Sequence, residues 1–235
     1  MMMRLNRFFI STCLTTAVLC TTHSHAAIQA LASRVIYNAN AKAATLNIRN
    51  NASQPYMVQS WLETGETTLP DNKVPFVVTP PLLKLDPKKE SVLRFIYSGT
   101  GLASDRESQF WINIQEIPPK PEVENTLQLA VRSKIKLFYR PAQIDMELVD
   151  AVKKLRWFVD GKVLKLENKS PLFVTIGDLT LNNETQPVAN MNRDMVPPFE
   201  TIEVLKGLPS NLHQIQYTYI NEYGGNTPMP PVSIK

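Results

Sequence analysis

The fold follows from the stretch Asn125-Thr-Leu-Gln-Leu-Ala-Val-Arg-Ser-Lys-Ile-Lys-Leu-Phe-Tyr-Arg-Pro141. Residues 126–138 of this stretch predict a strand that is unusually long and that changes character midway. Side chains of a strand alternate between its two faces. The first half of the strand therefore places three apolar side chains on one face: Leu127, Leu129 and Val131. The strand ends before Pro141, because proline has no backbone N–H to donate to a neighbouring strand.

The second half of the same strand spreads its apolar residues over both faces. One face carries Ser133, Ile135 and Leu137, and the other carries Lys134, Lys136 and Phe138. A half-buried strand would keep one apolar face throughout, so one interpretation is that its two ends face different partners. The other interpretation is an edge or corner strand that passes from one sheet to another within one domain.

Short strands separated by turns precede the long strand. They are predicted at residues 33–37, 44–49, 55–62, 76–85, 91–97 and 108–116. Pro80 and Pro81 interrupt the fourth of them, which forces a break or a crossing between sheet edges there. About seven strands at short spacing without a long amphipathic helix are typical of an immunoglobulin-like sandwich.

A second set of strands follows Pro141. It is predicted at residues 155–159, 162–166, 172–176, 179–181, 201–205 and 213–220. The first two flank Asp160-Gly161, the dipeptide that favours a tight hairpin. We therefore predict an all-β chain with two immunoglobulin-like domains, residues 27–144 and 145–235, joined near residues 141–148 with a cleft between them.

The first 26 residues have the features of a secretory signal peptide. Arg4 and Arg7 precede an apolar run at residues 8–20, and Ser24-His-Ala26 supplies small residues for cleavage. We predict cleavage after Ala26 and a secreted, soluble mature chain. The apolar run is too short to span a bilayer comfortably, which argues against a membrane anchor.

Composition excludes several classes of function. Cys13 and Cys20 both lie in the signal peptide, and His213 is the only histidine after it, so a mature disulfide and a zinc site built from Cys and His are excluded. The formal net charge is +4, and two of those charges leave with the signal peptide, which does not favour nucleic-acid binding. The sequence has no Gly-x-Ser-x-Gly motif, so we predict neither an enzyme nor a cofactor.

Two segments carry a family resemblance. Residues 104–119 and 127–141 resemble the periplasmic pilus chaperones of the chaperone-usher pathway, the PapD type. Ser33-Arg34, Thr79-Pro-Pro81 and residues 219–225 agree with that family in order and spacing. The resemblance implies two immunoglobulin-like domains set in an L, with a binding site in place of an active site.

The resemblance also implies a function and its residues. Such a chaperone works in the periplasm, donates a strand to the incomplete immunoglobulin-like fold of a pilus subunit, and delivers the subunit to the outer-membrane usher. By resemblance, Arg34 and Lys136 grip the C-terminal carboxylate of the subunit, which needs fixed cationic donors. The donor positions fall on Leu127, Leu129 and Val131, in keeping with strand addition at an exposed edge.

Other features of the family map onto this chain. Its interdomain ionic cluster falls on Glu107, Arg140 and Glu222, and our hypothesis is that this cluster sets the angle between the domains more than it adds stability. The segment 120–126 resembles the short-loop subfamily of these chaperones. An exposed apolar strand edge invites association, so we expect capped or self-associated forms when no subunit is bound.

A secreted structural pilus subunit or adhesin is the alternative. It would also be immunoglobulin-like, but it would normally carry a disulfide and its own N-terminal donor segment. The mature chain has no cysteine, so we favour the chaperone.

Overall fold

The computed structural model describes residues 26–65, 74–121 and 125–234. The predicted signal peptide lies outside the described residues except for Ala26, and the predicted loop at residues 120–126 is described only in part. Within the described ranges, no helix is long and apolar enough to cross a membrane.

Nine strands form the N-terminal sandwich within its described residues. They are β1 (Ile28–Ala30), β2 (Arg34–Asn38), β3 (Ala44–Asn50), β4 (Tyr56–Thr64), β5 (Phe76–Thr79), β6 (Leu82–Leu85), β7 (Glu90–Tyr97), β8 (Ser108–Ile117) and β9 (Arg132–Arg140). One sheet has the order β1-β3-β7-β5 and the other β2-β9-β8-β4-β6. The alternation of β3, in which every second side chain is buried, shows how one face of each sheet supplies the core.

Two of the changes of sheet in this sandwich take place over only two or three residues. β5 pairs with β7 in one sheet and β6 pairs with β4 in the other, so Pro80 and Pro81 mark the predicted crossing. The Thr79–Pro80 peptide bond is cis. The second crossing separates β1 from β2 and was not predicted, because three residues are too few to show a period of two.

The C-terminal sandwich contains one short helix and eight strands in its described part. They are α1 (Leu148–Lys153), β10 (Leu155–Asp160), β11 (Val163–Asn168), β12 (Val174–Leu181), β13 (Met195–Val196), β14 (Thr201–Lys206), β15 (Gln214–Ile220), β16 (Asn226–Pro228) and β17 (Val232–Ser233). One sheet has the order β10-β11-β14, and the other has the order β13-β12-β15-β16 with β17 also paired to β15. Asp160 pairs with Val163 across the predicted hairpin turn.

Each sandwich has its own apolar core. Leu46, Leu93 and Phe95 from one sheet pack with Phe110 and Ile112 from the other in the N-terminal sandwich. An equivalent set, which includes Trp157 and Tyr217, fills the C-terminal one. Two β-sandwiches, each with its own core, confirm the predicted fold class. The predicted boundary between residues 144 and 145 lies between β9 and α1 and stays a prediction.

The predicted long strand is wrong in its first half. β9 begins at Arg132, and residues 126–131 belong to no strand. The antiparallel ladder between β8 and β9 pairs Gln115 with Arg132. Two residues after Gln115 β8 ends, and Pro118 and Pro119 follow it. The register would put these prolines opposite residues 128 and 129, and they have no N–H to donate, so the ladder cannot continue there.

The second half of the predicted strand lies within β9 and contacts two regions. Leu137 and Tyr139 are buried in the core of the N-terminal sandwich. Phe138, on the opposite face, packs with Phe173 and Met195 of the C-terminal sandwich. The mixed pattern of residues 133–138 therefore arises because one face meets the core and the other meets the second domain.

Candidate functional site

An exposed apolar segment leads into β9. Leu127 is 85% exposed, Leu129 is 74% exposed and Val131 is 41% exposed. Exposed leucines that recur at every second residue, next to a sheet edge, are unusual on a soluble protein and mark an interaction surface. We call residues 127–131 the apolar segment.

The edge of β9 that continues the apolar segment is open. β2 runs parallel to β9, but its first paired residue is Arg34, opposite Lys136. Residues 132–135 of β9 therefore have no strand from the described chain on that side. Residues 132–135 of β9 and the apolar segment before Val131 together offer backbone groups to an incoming strand.

Glu116 fixes the point where the apolar segment leaves the sheet. The residue is only 5% exposed. One oxygen, Oε1, accepts a hydrogen bond from the backbone N–H of Val131 at 3.3 Å, and Oε2 accepts one from the N–H of Ile28 at 3.1 Å. The N–H of Glu116 itself donates to the carbonyl of Val131 at 3.0 Å. The carboxylate thus ties β1 to the base of the apolar segment.

Sequence reasoning missed Glu116. It is the only carboxylate in the strand predicted at residues 108–116, a signal that was not used. A buried carboxylate almost always accepts hydrogen bonds. The sequence therefore predicts that a buried Glu116 has donors, but it does not identify them.

Glu116→Ala is expected to free both backbone N–H groups from their acceptor. Each unsatisfied buried donor costs about 1–3 kcal/mol, so the amides of Ile28 and Val131 should exchange at least tenfold faster. Glu116→Gln keeps one acceptor oxygen and should deprotect only one of them. Amide hydrogen exchange measures both rates, with Glu90→Ala, an exposed partner of Arg49, as the control. Unchanged exchange in Glu116→Ala would show that the carboxylate is not the acceptor.

Arg34 and Lys136 lie side by side on neighbouring strands. The register of β2 and β9 pairs them directly. The Lys136 Nζ atom lies 5.8 Å from the ring centre of Trp111, and the Arg34 guanidinium carbon lies 6.0 Å from the ring centre of Phe138. The structure therefore brings the two predicted anchor residues together, at the end of the open edge.

Arg34 also reaches the second domain. Its Nη1 donates to the Ile220 carbonyl at 3.2 Å. Burial lowers the pKa of the Arg34 guanidinium, and the negative charges of Glu107 and Glu222 offset part of that effect. Its Nε is buried and has no hydrogen-bond partner among the described residues. A buried donor of this kind is costly unless it meets an acceptor, and a carboxylate would supply one.

The predicted interdomain ionic cluster forms one network. Arg140 contacts Glu107 from Nε at 2.8 Å and Glu222 from Nη2 at 2.7 Å. The second oxygen of Glu107 accepts the Phe173 N–H at 2.8 Å. Burial raises the pKa of Glu107, while the Arg140 charge and the Phe173 N–H oppose that rise. Burial acts to lower the pKa of Arg140, but the two carboxylates together raise it.

Apolar and cation–π contacts extend the seam between the domains. The rings of Phe138 and Phe173 lie 5.5 Å apart, and Met195 packs with them. The Arg106 guanidinium lies 5.0 Å from the ring centre of Phe199. Because ionic, apolar and cation–π contacts all join the domains, β9 and the turn after β15 are held at a defined separation.

His213 shows no catalytic arrangement in the described chain. Its Nδ1 lies 3.1 Å from the Asn211 carbonyl oxygen, and the residue is exposed to solvent. Across the described residues, no group of three or more His, Cys, Asp or Glu side chains is arranged to hold a metal ion.

The fold defines the class: a two-domain β-sandwich protein with an exposed apolar segment at a sheet edge. Residues 27–145 match the N-terminal domain of the PapD pili and flagellar-assembly chaperones. Residues 150–230 match the C-terminal domain of the PapD pili-assembly chaperones. The chain belongs to this family of pilus-assembly chaperones.

Named relatives agree with the family. The probable fimbrial chaperone YadV of Escherichia coli is 35% identical over 231 residues, which cover 91% of this chain and 92% of that protein. Chaperone protein HifB of Haemophilus influenzae is 32% identical over 218 residues, covering 88% of each. Both relatives are named as chaperones, so a pilus subunit or adhesin is not favoured.

Solved structures show the same two-domain fold. The CupB2 chaperone of Pseudomonas aeruginosa superposes with a TM-score of 0.74 at 31% identity, covering 88% of this chain and all of that one. The SafB chaperone bound to the SafA pilin of Salmonella enterica gives a TM-score of 0.76 at 29% identity, covering 90% of this chain and 97% of the matched chain.

Proposed function

We propose that this chain is a periplasmic chaperone that binds pilus subunits, completes their immunoglobulin-like fold with its own strand, and delivers them to an outer-membrane usher. One observation carries the proposal: the apolar segment is exposed and directly continues the open edge of β9. Such an edge pairs with a strand of the subunit through backbone hydrogen bonds, while Leu127, Leu129 and Val131 fill apolar pockets of the subunit.

The paired cations give the subunit a fixed end point. We propose that Arg34 and Lys136 hold the C-terminal carboxylate of the subunit. Arg34 supports this role with its buried, unpaired Nε, and Lys136 supports it by lying opposite Arg34. A carboxylate held at this end of the edge would set the register in which the strands pair, because a shift by one residue turns every side chain to the other face.

We propose that the mature chain works in the periplasm without a cofactor. The predicted signal peptide and the family support a periplasmic location for the mature chain. No cofactor or nucleotide enters the proposed role, since exchange of one strand for another in the subunit groove shifts a folding equilibrium without added chemistry. In the absence of a subunit, we propose that the apolar segment is covered by self-association of the chain.

Leu127→Glu combined with Leu129→Glu is expected to lower subunit binding at least tenfold. The change places two charges where apolar side chains enter the groove of the subunit, and burying unpaired charges is costly. The measurement is recovery of the cognate subunit with the tagged, full-length chaperone from periplasmic extract. Recovery with the wild type and loss with the variant supports strand donation.

Val77→Glu combined with Val92→Glu is the matched control. These side chains are 60% and 46% exposed on the other sheet of the same sandwich, so they add the same charge away from the open edge. Equal recovery with the donor variant and with this control would contradict the proposal.

A further inference from the structure

Gly224 lies in unusually close contact with Ser33 of the other domain. Its φ is +87°, and a Cβ at this position would lie 1.9 Å from Ser33 Oγ and 3.0 Å from Ser33 Cβ. Rotation of the Ser33 side chain would relieve the contact with Oγ, but the 3.0 Å separation between the two Cβ atoms would remain. That separation is shorter than an ordinary van der Waals contact, so Ser33 or the turn would have to shift.

The turn that carries Gly224 is held firmly. The N–H of Gly224 donates to the Asn221 carbonyl at 3.0 Å, and the N–H of Asn221 donates to the Gly225 carbonyl at 2.9 Å. The Asn221 side-chain oxygen also accepts the N–H groups of Tyr223 and Gly225, each at 3.0 Å. A side chain at Gly224 would therefore push Ser33 away more readily than it would rearrange the turn.

Displacement of Ser33 acts directly on Arg34, the next residue. Arg34 begins β2 and donates from Nη1 to the Ile220 carbonyl at 3.2 Å. Ile220 lies just before the turn. The Ser33–Gly224 contact and the Arg34–Ile220 hydrogen bond therefore join the same short segment of one domain to the same short segment of the other. The gap between Ser33 and Gly224 consequently sets how far the Arg34 guanidinium reaches into the seam.

We infer that Gly224 is a positioning residue for the carboxylate anchor: its missing side chain lets the two domains approach until Arg34 is oriented toward the bound carboxylate. This inference rests on the proposed function for the identity of the ligand, but the spacing it concerns is measurable without a subunit.

Gly224→Ala is expected to lower the affinity for the cognate subunit at least tenfold. Positive φ alone strains an alanine, so Gly99→Ala is the control: its φ is +89° and a Cβ there meets nothing within 4 Å. Gly99→Ala should leave the affinity within twofold of the wild type. Ser33→Gly added to Gly224→Ala removes the clash and should restore most of the affinity.

The route through Arg34 has its own test. In an Arg34→Ala background, Gly224→Ala should change the affinity less than twofold, because the side chain that it misplaces is gone. Affinity within twofold of the wild type for Gly224→Ala alone, or an undiminished loss in the Arg34→Ala background, would overturn the inference.

A crystal structure of Gly224→Ala separates this inference from the proposed function. We expect the distance from Arg34 Nη1 to the Ile220 oxygen to exceed 3.5 Å, from 3.2 Å in the native chain. A distance that stays near 3.2 Å would overturn the positioning role whatever the ligand. If Gly224→Ala fails to fold, Ser33→Val closes the same gap from the other side, with the same distance as its measure. A wild type that binds no subunit would refute the proposed function alone.

Discussion

Replacing Arg34 and Lys136 together with alanine is expected to abolish retention of the subunit, with affinity at least about a hundredfold lower. Hydrogen bonds to a charged group contribute about 1.5–3 kcal/mol each, and about 1.4 kcal/mol corresponds to a tenfold change in affinity. Two such contacts therefore account for a loss of this size. Lys136→Ala alone should cost at least tenfold, and it leaves the bond between Arg34 and Ile220 in place.

The measurement is titration of the full-length chaperone variants against the cognate subunit, together with recovery of the complex from periplasm. Lys84→Ala combined with Arg94→Ala removes the same charge from exposed positions and serves as the control. Undiminished binding by the Arg34 and Lys136 variant would show that the chaperone grips the subunit by its apolar segment alone.

Glu107→Ala is expected to destabilise the chain by about 3–5 kcal/mol. Removing one partner of a buried ion pair leaves the other charge uncompensated. The Arg140 side chain is only 13% exposed and would keep Glu222 alone, whose own side chain is 39% exposed. The buried N–H of Phe173 would lose its acceptor as well. Urea denaturation with linear extrapolation measures the loss.

Glu107→Leu combined with Arg140→Met is expected to cost less than the single change, about 1–3 kcal/mol, because no buried charge is left unpaired and only the Phe173 N–H lacks its acceptor. Glu203→Ala, which removes an exposed partner of Lys206, should stay within about 0.5 kcal/mol. Small-angle scattering then tests whether the cluster sets the domain angle. An angle that is unchanged in the double variant would contradict that hypothesis.

Much of the fold was predictable from the sequence because its signals are local. The alternation of residues 44–49 and the Asp160-Gly161 turn act through neighbouring residues, and the structure confirms both. Pro80 and Pro81 likewise interrupt a strand through their own ring structure, which is a local effect. The family resemblance added the site residues, of which Arg34 and Lys136 have no distinguishing local pattern.

The remaining features depend on partners distant in sequence. β1 is recognisable only through its pairing with β3, which lies twenty residues further along the chain. The end of the paired region at Arg132 depends on the two prolines that follow β8. The roles of Glu116 and Gly224 depend on contacts with Ile28 and Ser33, which no period or motif in the sequence connects to them.

The prolines that follow β8 create a trade-off between folding and function. Pro118 and Pro119 cannot donate backbone hydrogen bonds, so the native chain forgoes ladder contacts that would otherwise extend its own sheet. If the ladder continued along residues 127–131, the backbone groups of this segment would already be paired within the chain and could not pair with a strand of a subunit. Selection for maximal stability would thus remove the activity, and the edge is expected to tolerate destabilising changes better than stabilising ones.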